Sequence, residues 1–303
     1  MFPQHLIDID DLSTQNIHAL MDLAQQFQDY PNHVPNHAPQ SVGLLFFEDS
    51  TRTHHSFHLA AQRLNMHSVV ANTHTLSLNK GESVLDMLQT WHALGIEMAV
   101  IRHGDNHFCR TLAQAFHGQM CIINAGNGTQ SHPTQALLDA MTIYQLHEDF
   151  SNLKVVIMGD FLHSRVAHSQ VKILRKLSVQ DIHWTGPEEW APPLDLNIQT
   201  HSNVDHALHH ADVVVCLRVQ HERMTTPLAK NQHYLSTWGL TPKRLGLCKK
   251  HVQVLHPGPI NRDIEIASSV ADGTQSCIKQ QVSNGLSMRM AIMATLSTHR
   301  LSL

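Results

Sequence analysis

Phe46-Phe47-Glu48-Asp49-Ser50-Thr51-Arg52-Thr53-His54-His55-Ser56-Phe57 is the stretch on which the reading of this chain turns. Before it, the apolar run Val42 to Phe47 is short enough for a buried strand. After it, Phe57, Ala60, Ala61 and Leu64 recur at helical spacing. A strand therefore ends and a helix begins at Ser50-Thr51-Arg52-Thr53, the place where open α/β sheets bind ligands. Free N–H groups and the helix dipole favour an anion there. Ser50, Thr51 and Thr53 add hydroxyls, and Arg52 adds a planar fork that fits phosphate oxygens. The stretch predicts a phosphate cradle without a glycine-rich loop. The plainer alternative is a serine-capped helix with a solvated arginine.

Composition bounds what surrounds this cradle. The 303 residues suffice for two domains, and 42% apolar with 15% charged residues reads as a soluble globular chain. A net charge of -4 gives no reason to expect nucleic acid. Cysteines 109, 121, 216, 248 and 277 are scattered and unpaired in spacing, which fits reduced thiols and a cytoplasmic location. No secretion signal and no membrane-length apolar run is visible, so no membrane partner is expected. Histidine is abundant at 27 copies, yet no pair comes with the carboxylate spacing of a metal site. Neither a metal nor a cofactor is expected.

Taken in order, Ser13 caps a helix reaching about Tyr30, and a loop with three prolines, Pro31 to Gln40, leads into the first strand. Strands are expected at Ser68–Ala71, Met98–Arg102 and Met120–Asn124, with helices at Ser83–Leu94 and His107–Phe116 between them. A long helix opens at Pro133 and runs to about His147. Further strands fall at Lys154–Met158, Asp181–Thr185, Val213–Leu217 and Val252–Leu255. This alternation predicts an α/β fold of two doubly wound domains with parallel sheets, linked by the long helix. The first domain spans residues 1–149 and the second 150–275. A terminal helix, 276–303, carries Ile278, Val282, Leu286, Met290 and Met293 on one stripe and returns to the first domain.

Each expected strand ends in polar residues: the cradle, Arg102-His103, Asn124 to Gln135, Gly159-Asp160 with Arg165, Leu217 to Arg223, and His256-Pro257-Gly258-Pro259. Four arginines at one sheet edge point to a multiply anionic ligand. The Phe-x-x-Ser-Thr-Arg-Thr run resembles the carbamoyl-phosphate motif of the aspartate and ornithine carbamoyltransferases, with His54 where a second arginine is usual. His132-Pro133-Thr134-Gln135 resembles their His-Pro-x-Gln motif. Lys80-Gly81-Glu82-Ser83, Arg218-Val219-Gln220-His221-Glu222-Arg223 and His256-Pro257-Gly258-Pro259 resemble segments typical of the aspartate carbamoyltransferase catalytic chains. The His-Cys-Leu-Pro loop and Asp-x-x-x-Ser-Met-Gly segment of the ornithine enzymes do not occur. The resemblance spans residues 46–266 in the family's order.

That resemblance implies transfer of the carbamoyl group of carbamoyl phosphate to the amine of L-aspartate, giving N-carbamoyl-L-aspartate and phosphate, early in pyrimidine biosynthesis. Ser50, Thr51, Arg52 and Thr53 would hold the phosphate, with Ser77 from a polar loop. Thr53, Arg102 and His132 would face the carbamoyl oxygen, with His132 an electrophilic donor and not a nucleophile. Gln135, the Gly258 carbonyl and Pro259 would hold the carbamoyl amide. Arg165 would take the α-carboxylate of aspartate, Arg218 and Gln220 the side-chain carboxylate. Lys80 would reach in from a neighbouring subunit, making a homotrimer with shared active sites. A regulatory chain or a dihydroorotase stays open as a further partner. Two other readings stay open as well: an impaired homologue serving as a scaffold for another pyrimidine enzyme, and a carbamoyltransferase with a different amino-acid acceptor, such as an N-acylated ornithine.

Overall fold

A computed structural model of the chain describes residues 1–31, 41–71, 81–219 and 231–298. The expected loop Pro31 to Gln40 and the site residues Ser77, Lys80 and Gln220 fall wholly or largely outside them. The chain forms two compact units, Met1–Leu138 with Val282–Leu303, and Asp139–Gln281.

The first unit is built on a four-stranded parallel sheet of β1 (Ser41–Phe46), β2 (His67–Ala71), β3 (Ile96–His103) and β4 (Cys121–Asn127), in the order β2-β1-β3-β4. Val42, Leu44 and Leu45 of β1 and Val100 and Ile101 of β3 are fully buried, as strands covered on both faces require. Each such side chain contributes about 1.5–3 kcal/mol by leaving water. One face packs Leu45, Ala99, Ile101 and Ile122 against α3 (Val84–Ala93) and α4 (Phe108–Ala115), through Leu88, Trp91, Leu112 and Phe116. α2 (Thr51–Arg63) follows β1 directly and buries Phe57, Ala60 and Ala61.

The N-terminal segment joins this sheet. Leu6 pairs in parallel with Ile123, with Leu6 N–H to the Ile122 carbonyl at 3.0 Å and Asn124 N–H to the Leu6 carbonyl at 2.8 Å. α1 (Thr14–Asp29) starts in a reciprocal cap between Ser13 and Asn16 and buries Ile17, Leu20, Met21, Ala24 and Phe27. The chain leaves the first unit inside α5 (Pro133–Tyr144).

The second unit carries a five-stranded parallel sheet: β5 (Lys154–Met158), β6 (Asp181–Thr185), β7 (Gln199–His201), β8 (Val213–Cys216) and β9 (Gln253–Leu255), ordered β7-β6-β5-β8-β9. Val156, Met158, Val214, Cys216 and Val254 share a core with α7 (Val204–Leu208). The alternate residues Val155, Ile157, Val213 and Val215 are equally buried. α6 (Arg165–Lys176) links β5 to β6, capped by Ser164, whose oxygen accepts the Ala167 N–H at 3.2 Å. Beyond β8 come α8 (Asn231–Trp238), α9 (Pro242–Leu245) and α10 (Ser268–Ala271).

The terminal helix, α11 (Ile278–Thr298), differs from the single stripe its spacing predicts. Val282 is 55% exposed, whereas Ser287 to Ala294 are buried without a break. Several of its buried polar side chains bond in place. Gln28 Nε2 donates to Asn284 at 2.7 Å and to Ser287 at 3.1 Å, and Arg289 donates to the Gly285 carbonyl at 2.9 Å. The Arg289 guanidinium also lies 5.2 Å from the Phe57 ring centre. A helix buried all round need not show an amphipathic period.

Candidate active site

In the sheet order β2-β1-β3-β4, consecutive crossovers reverse direction between β1 and β3. That switch point is where a parallel sheet leaves a crevice at its carboxyl edge. The stretch 50–53 follows β1 there, and Arg102 ends β3 beside it, in register with Phe46. The second sheet has its own switch point, between β5 and β8. Arg165 follows the first of these strands and Arg218 the second, so the four arginines expected at one sheet edge lie two to each of two sheets.

At the first switch point Ser50 stands at the N-cap of α2, but its side chain makes no capping bond. Serine or threonine caps at α1, α3, α6 and α9 are all engaged. The first-turn N–H groups of α2 are thus left facing outward for another acceptor. Thr53 is buried, while Thr51 and Arg52 are exposed. Among the described residues no carboxylate pairs with the Arg52 guanidinium. Desolvation lowers its pKa from the ordinary value, and it remains a cation at neutral pH. A guanidinium beside unpaired helix N–H groups makes the local field positive, as an anion site requires.

His54, standing where the family usually has an arginine, sets its ring edge-on to Phe46 at 5.2 Å. Burial, then the neighbouring His55 and His58, push its pKa down. At neutral pH it is therefore an uncharged aromatic wedge against the end of β1.

Arg102 approaches Glu48 as an ion pair at 3.3 Å and donates to the Ala125 carbonyl at 3.3 Å. It thereby spans the ends of β1, β3 and β4. The loop after β4 is held by an asparagine network. Asn124 Nδ2 donates to the Ile7 carbonyl and to Asn127 Oδ1, both at 2.8 Å, and its Oδ1 accepts the Gly126 N–H at 2.8 Å. Asn106 Oδ1 accepts the Thr129 N–H at 2.9 Å. Gly128 has φ +45°, and a Cβ there would sit 1.8 Å from Asn106 Oδ1, so both backbone and space demand glycine. Ser131 donates to the Ile7 carbonyl at 3.3 Å. This bracing leads to His132, 5% exposed and immediately before α5, with Gln135 also buried.

In the second unit Arg165 is the first residue of α6 and only 7% exposed, whereas Arg218 is half-buried. Asp160, fully buried, accepts from His163 N–H at 3.2 Å and faces its Nδ1 at 2.9 Å, fixing the loop between β5 and α6. Gly258 has φ +69°, a conformation glycine adopts without a steric cost, and donates its N–H to His256 Nδ1 at 2.9 Å. The asparagine network and Glu265 carry no motif of their own. Asn124 and Asn127 could be found only as polar interruptions in an apolar strand.

A fold of two parallel α/β units, each with arginines at its switch point, defines the class: a protein built to hold anionic small molecules at sheet edges. Two family models match the chain: the aspartate/ornithine carbamoyltransferase carbamoyl-P binding domain over residues 4–145, and the Asp/Orn binding domain over 151–296. The chain belongs to the aspartate/ornithine carbamoyltransferase family. Similar solved structures include the aspartate transcarbamoylase of Trypanosoma cruzi with carbamoyl aspartate and phosphate, 28% identical, covering 96% of this chain and 95% of that one, TM-score 0.83. The same enzyme with carbamoyl phosphate and aspartate is 26% identical, covering 95% of this chain and 94% of that one, TM-score 0.84. The ornithine carbamoyltransferase of Thermus thermophilus shares the fold at 21% identity, covering 98% and 99%, TM-score 0.86.

Proposed function

We infer that this carbamoyltransferase uses L-aspartate as its acceptor, and that it serves the early pyrimidine pathway. The observation that carries the reading is the placement of two cationic forks, Arg165 and Arg218, after the two strands that flank the β5/β8 switch point. An acceptor with two carboxylates fits two arginines, whereas ornithine would bring a cationic side chain against them. The motifs typical of the aspartate enzymes support the same choice, as does the likeness to the Trypanosoma cruzi enzyme that holds carbamoyl phosphate and aspartate together.

In this reading the first unit binds carbamoyl phosphate. The open first turn of α2, with Ser50, Thr51, Arg52 and Thr53, takes the phosphate. Thr53, Arg102 and His132 donate to the carbamoyl oxygen as charge builds on it, and preorganised donors gain a few kcal/mol each in that transition state, typically about 3. Gln135, the Gly258 carbonyl and Pro259 orient the amide. The neutral amine of aspartate attacks the carbonyl carbon, the phosphate leaves, and the departing phosphate takes the amine's proton. No covalent enzyme intermediate is required, and much of the rate comes from holding both substrates together.

The assembly we infer is a trimer in which Ser77 and Lys80 serve a neighbouring chain's site. Val69 and Val70, 41% and 48% exposed on the edge strand β2, support an interface on the first unit. No helix among the described residues is long and apolar enough to cross a membrane, which accords with a cytoplasmic enzyme.

The deciding experiment supplies carbamoyl phosphate with L-aspartate, L-ornithine or N-acetyl-ornithine and reads the carbamoylated product. Wild-type protein should carbamoylate only aspartate. Arg218→Ala should raise the aspartate KM by about 10- to 100-fold, the worth of a charge-assisted hydrogen bond, and leave carbamoyl-phosphate binding nearly intact. Preference for an ornithine would overturn the acceptor assignment, and no product with any acceptor would point to an impaired scaffold.

A further inference from the structure

We propose that Glu265 is a positioning residue, the buried anchor that ties the loop 256–261 to the strand end bearing Arg218. His256 is 2% exposed, and the Gly258 N–H donates to its Nδ1 at 2.9 Å. A backbone N–H can only donate, so Nδ1 carries no proton. The proton must then sit on Nε2, which donates to Glu265 Oε1 at 3.0 Å. The tautomer of His256 is fixed by its two neighbours.

The same carboxylate oxygen accepts the Asn261 N–H at 2.6 Å, and Asn261 Nδ2 donates to the Val219 carbonyl at 3.0 Å. Glu265 thus holds both ends of the loop: His256 at its start and Asn261 at its finish. Through Asn261 it also holds the carbonyl of Val219, the residue that follows Arg218. Gln281 Oε1 accepts the His256 N–H at 2.9 Å and fastens the start of the loop to α11. Glu265 is itself 3% exposed, and its Oε2 has no partner among the described residues. A buried carboxyl with one oxygen unused is costly to keep, so its worth lies in the geometry it imposes.

The kinetic consequence rests on the aspartate reading. The loop presents the Gly258 carbonyl and Pro259 to the carbamoyl amide, and Val219 follows the arginine assigned to the acceptor. Losing the anchor should displace both at once while leaving the phosphate cradle of the first unit alone. A displacement of about 1 Å can cost about 100-fold in rate.

The test uses the full chain as Glu265→Ala, Glu265→Gln and Asn261→Ala, with inorganic phosphate binding measured by calorimetry beside the kinetics. Glu265→Ala should lower kcat and raise the aspartate KM, together a 10- to 100-fold loss, about the worth of two lost hydrogen bonds, with phosphate affinity kept within about twofold. Glu265→Gln retains an acceptor for both N–H groups and should recover most of the loss. Asn261 is half-buried and its removal spares the core, so Asn261→Ala should raise the aspartate KM even if Glu265→Ala fails to fold. Unchanged kinetics in Asn261→Ala, or phosphate affinity falling in step with activity, would overturn the proposal. If wild-type protein does not use aspartate, the acceptor reading fails on its own. Crystal structures then decide the anchor: a loop 256–261 unmoved in Glu265→Ala refutes it, and a displaced loop supports it.

Discussion

His132 illustrates how one residue is made by its surroundings. Its neighbours in sequence, a proline and a threonine, open α5. It is buried, and the segment 124–131 that leads to it is tied to the Ile7 carbonyl through Asn124 and Ser131. In the proposed function His132 is an electrophilic donor, which matters most when the oxyanion forms, so His132→Ala should lower kcat by about 100- to 1000-fold with a small change in carbamoyl-phosphate affinity. Near-normal turnover with lost affinity would remove the role. His5 offers a second test at this scale. Its Nδ1 accepts the Ile122 N–H at 3.1 Å, which requires the neutral ring. Burial foremost, then His117, holds its pKa down at about 4 against an ordinary 6.5, while Asp11 opposes them. Between these two values the unfolded chain binds more protons than the folded one. Stability therefore rises with pH through that window and is lost as the pH falls from about 6.5 to about 4. In His5→Gln, whose amide oxygen can still accept, the denaturation midpoints at pH 4.5 and 7.5 should lie closer together than in wild type. An unchanged gap would assign the acid sensitivity to other groups.

The elements are specified with unequal clarity. β5 and β6 begin and end where their apolar runs predict, and α1 starts at its serine cap. β1 adds a constraint that its run does not display. A Cβ on Gly43 would meet the Trp91 ring of α3 at 2.0 Å, so the strand and helix approach only because glycine is there. Gly43→Ala should cost about 1–3 kcal/mol by overpacking, and Trp91→Leu in the same chain should return part of it. Chemical denaturation of the single and double variants checks this; additive losses would mean the two residues do not share the space. α11 is the opposite case, since burial on every side of residues 287–294 replaces the stripe and its polar residues are read correctly only with Gln28 and Phe57 beside them.

For the whole molecule, the two sheets repeat one device. Each reverses its crossover direction once, and each reversal is flanked by two arginines, Arg52 with Arg102 and Arg165 with Arg218. In the proposed function the remaining charge comes from Lys80 of a neighbouring chain, and this can be tested by mixing. Lys80→Ala and His132→Ala chains, each inactive alone, should regain activity when reassembled together. Some sites in the hybrids then combine an intact His132 with an intact neighbouring Lys80. Hybrids that form, shown by a charge tag, and stay inactive would place Lys80 in its own chain's site.

The amino-acid sequence by itself determined the parallel α/β architecture, most strand and helix positions, and the strand-to-helix turn at 50–53. These depend on periodicity, capping and turn chemistry, which act over a few residues. It also held the family motifs, but motif order says nothing of which strands neighbour each other. Only the tertiary structure decided the strand order, and with it the switch points that bring Arg102 beside the 50–53 turn and set Arg165 and Arg218 after the two strands flanking one switch point. Only the tertiary structure paired Leu6 with Ile123 and put the Ile7 carbonyl within reach of Asn124, 117 residues away. The His256 tautomer belongs to the same kind, because it follows from two hydrogen bonds made at once. Such contacts join residues whose local sequence carries no trace of the partner, and burial then makes each unsatisfied polar group too costly to leave unmatched.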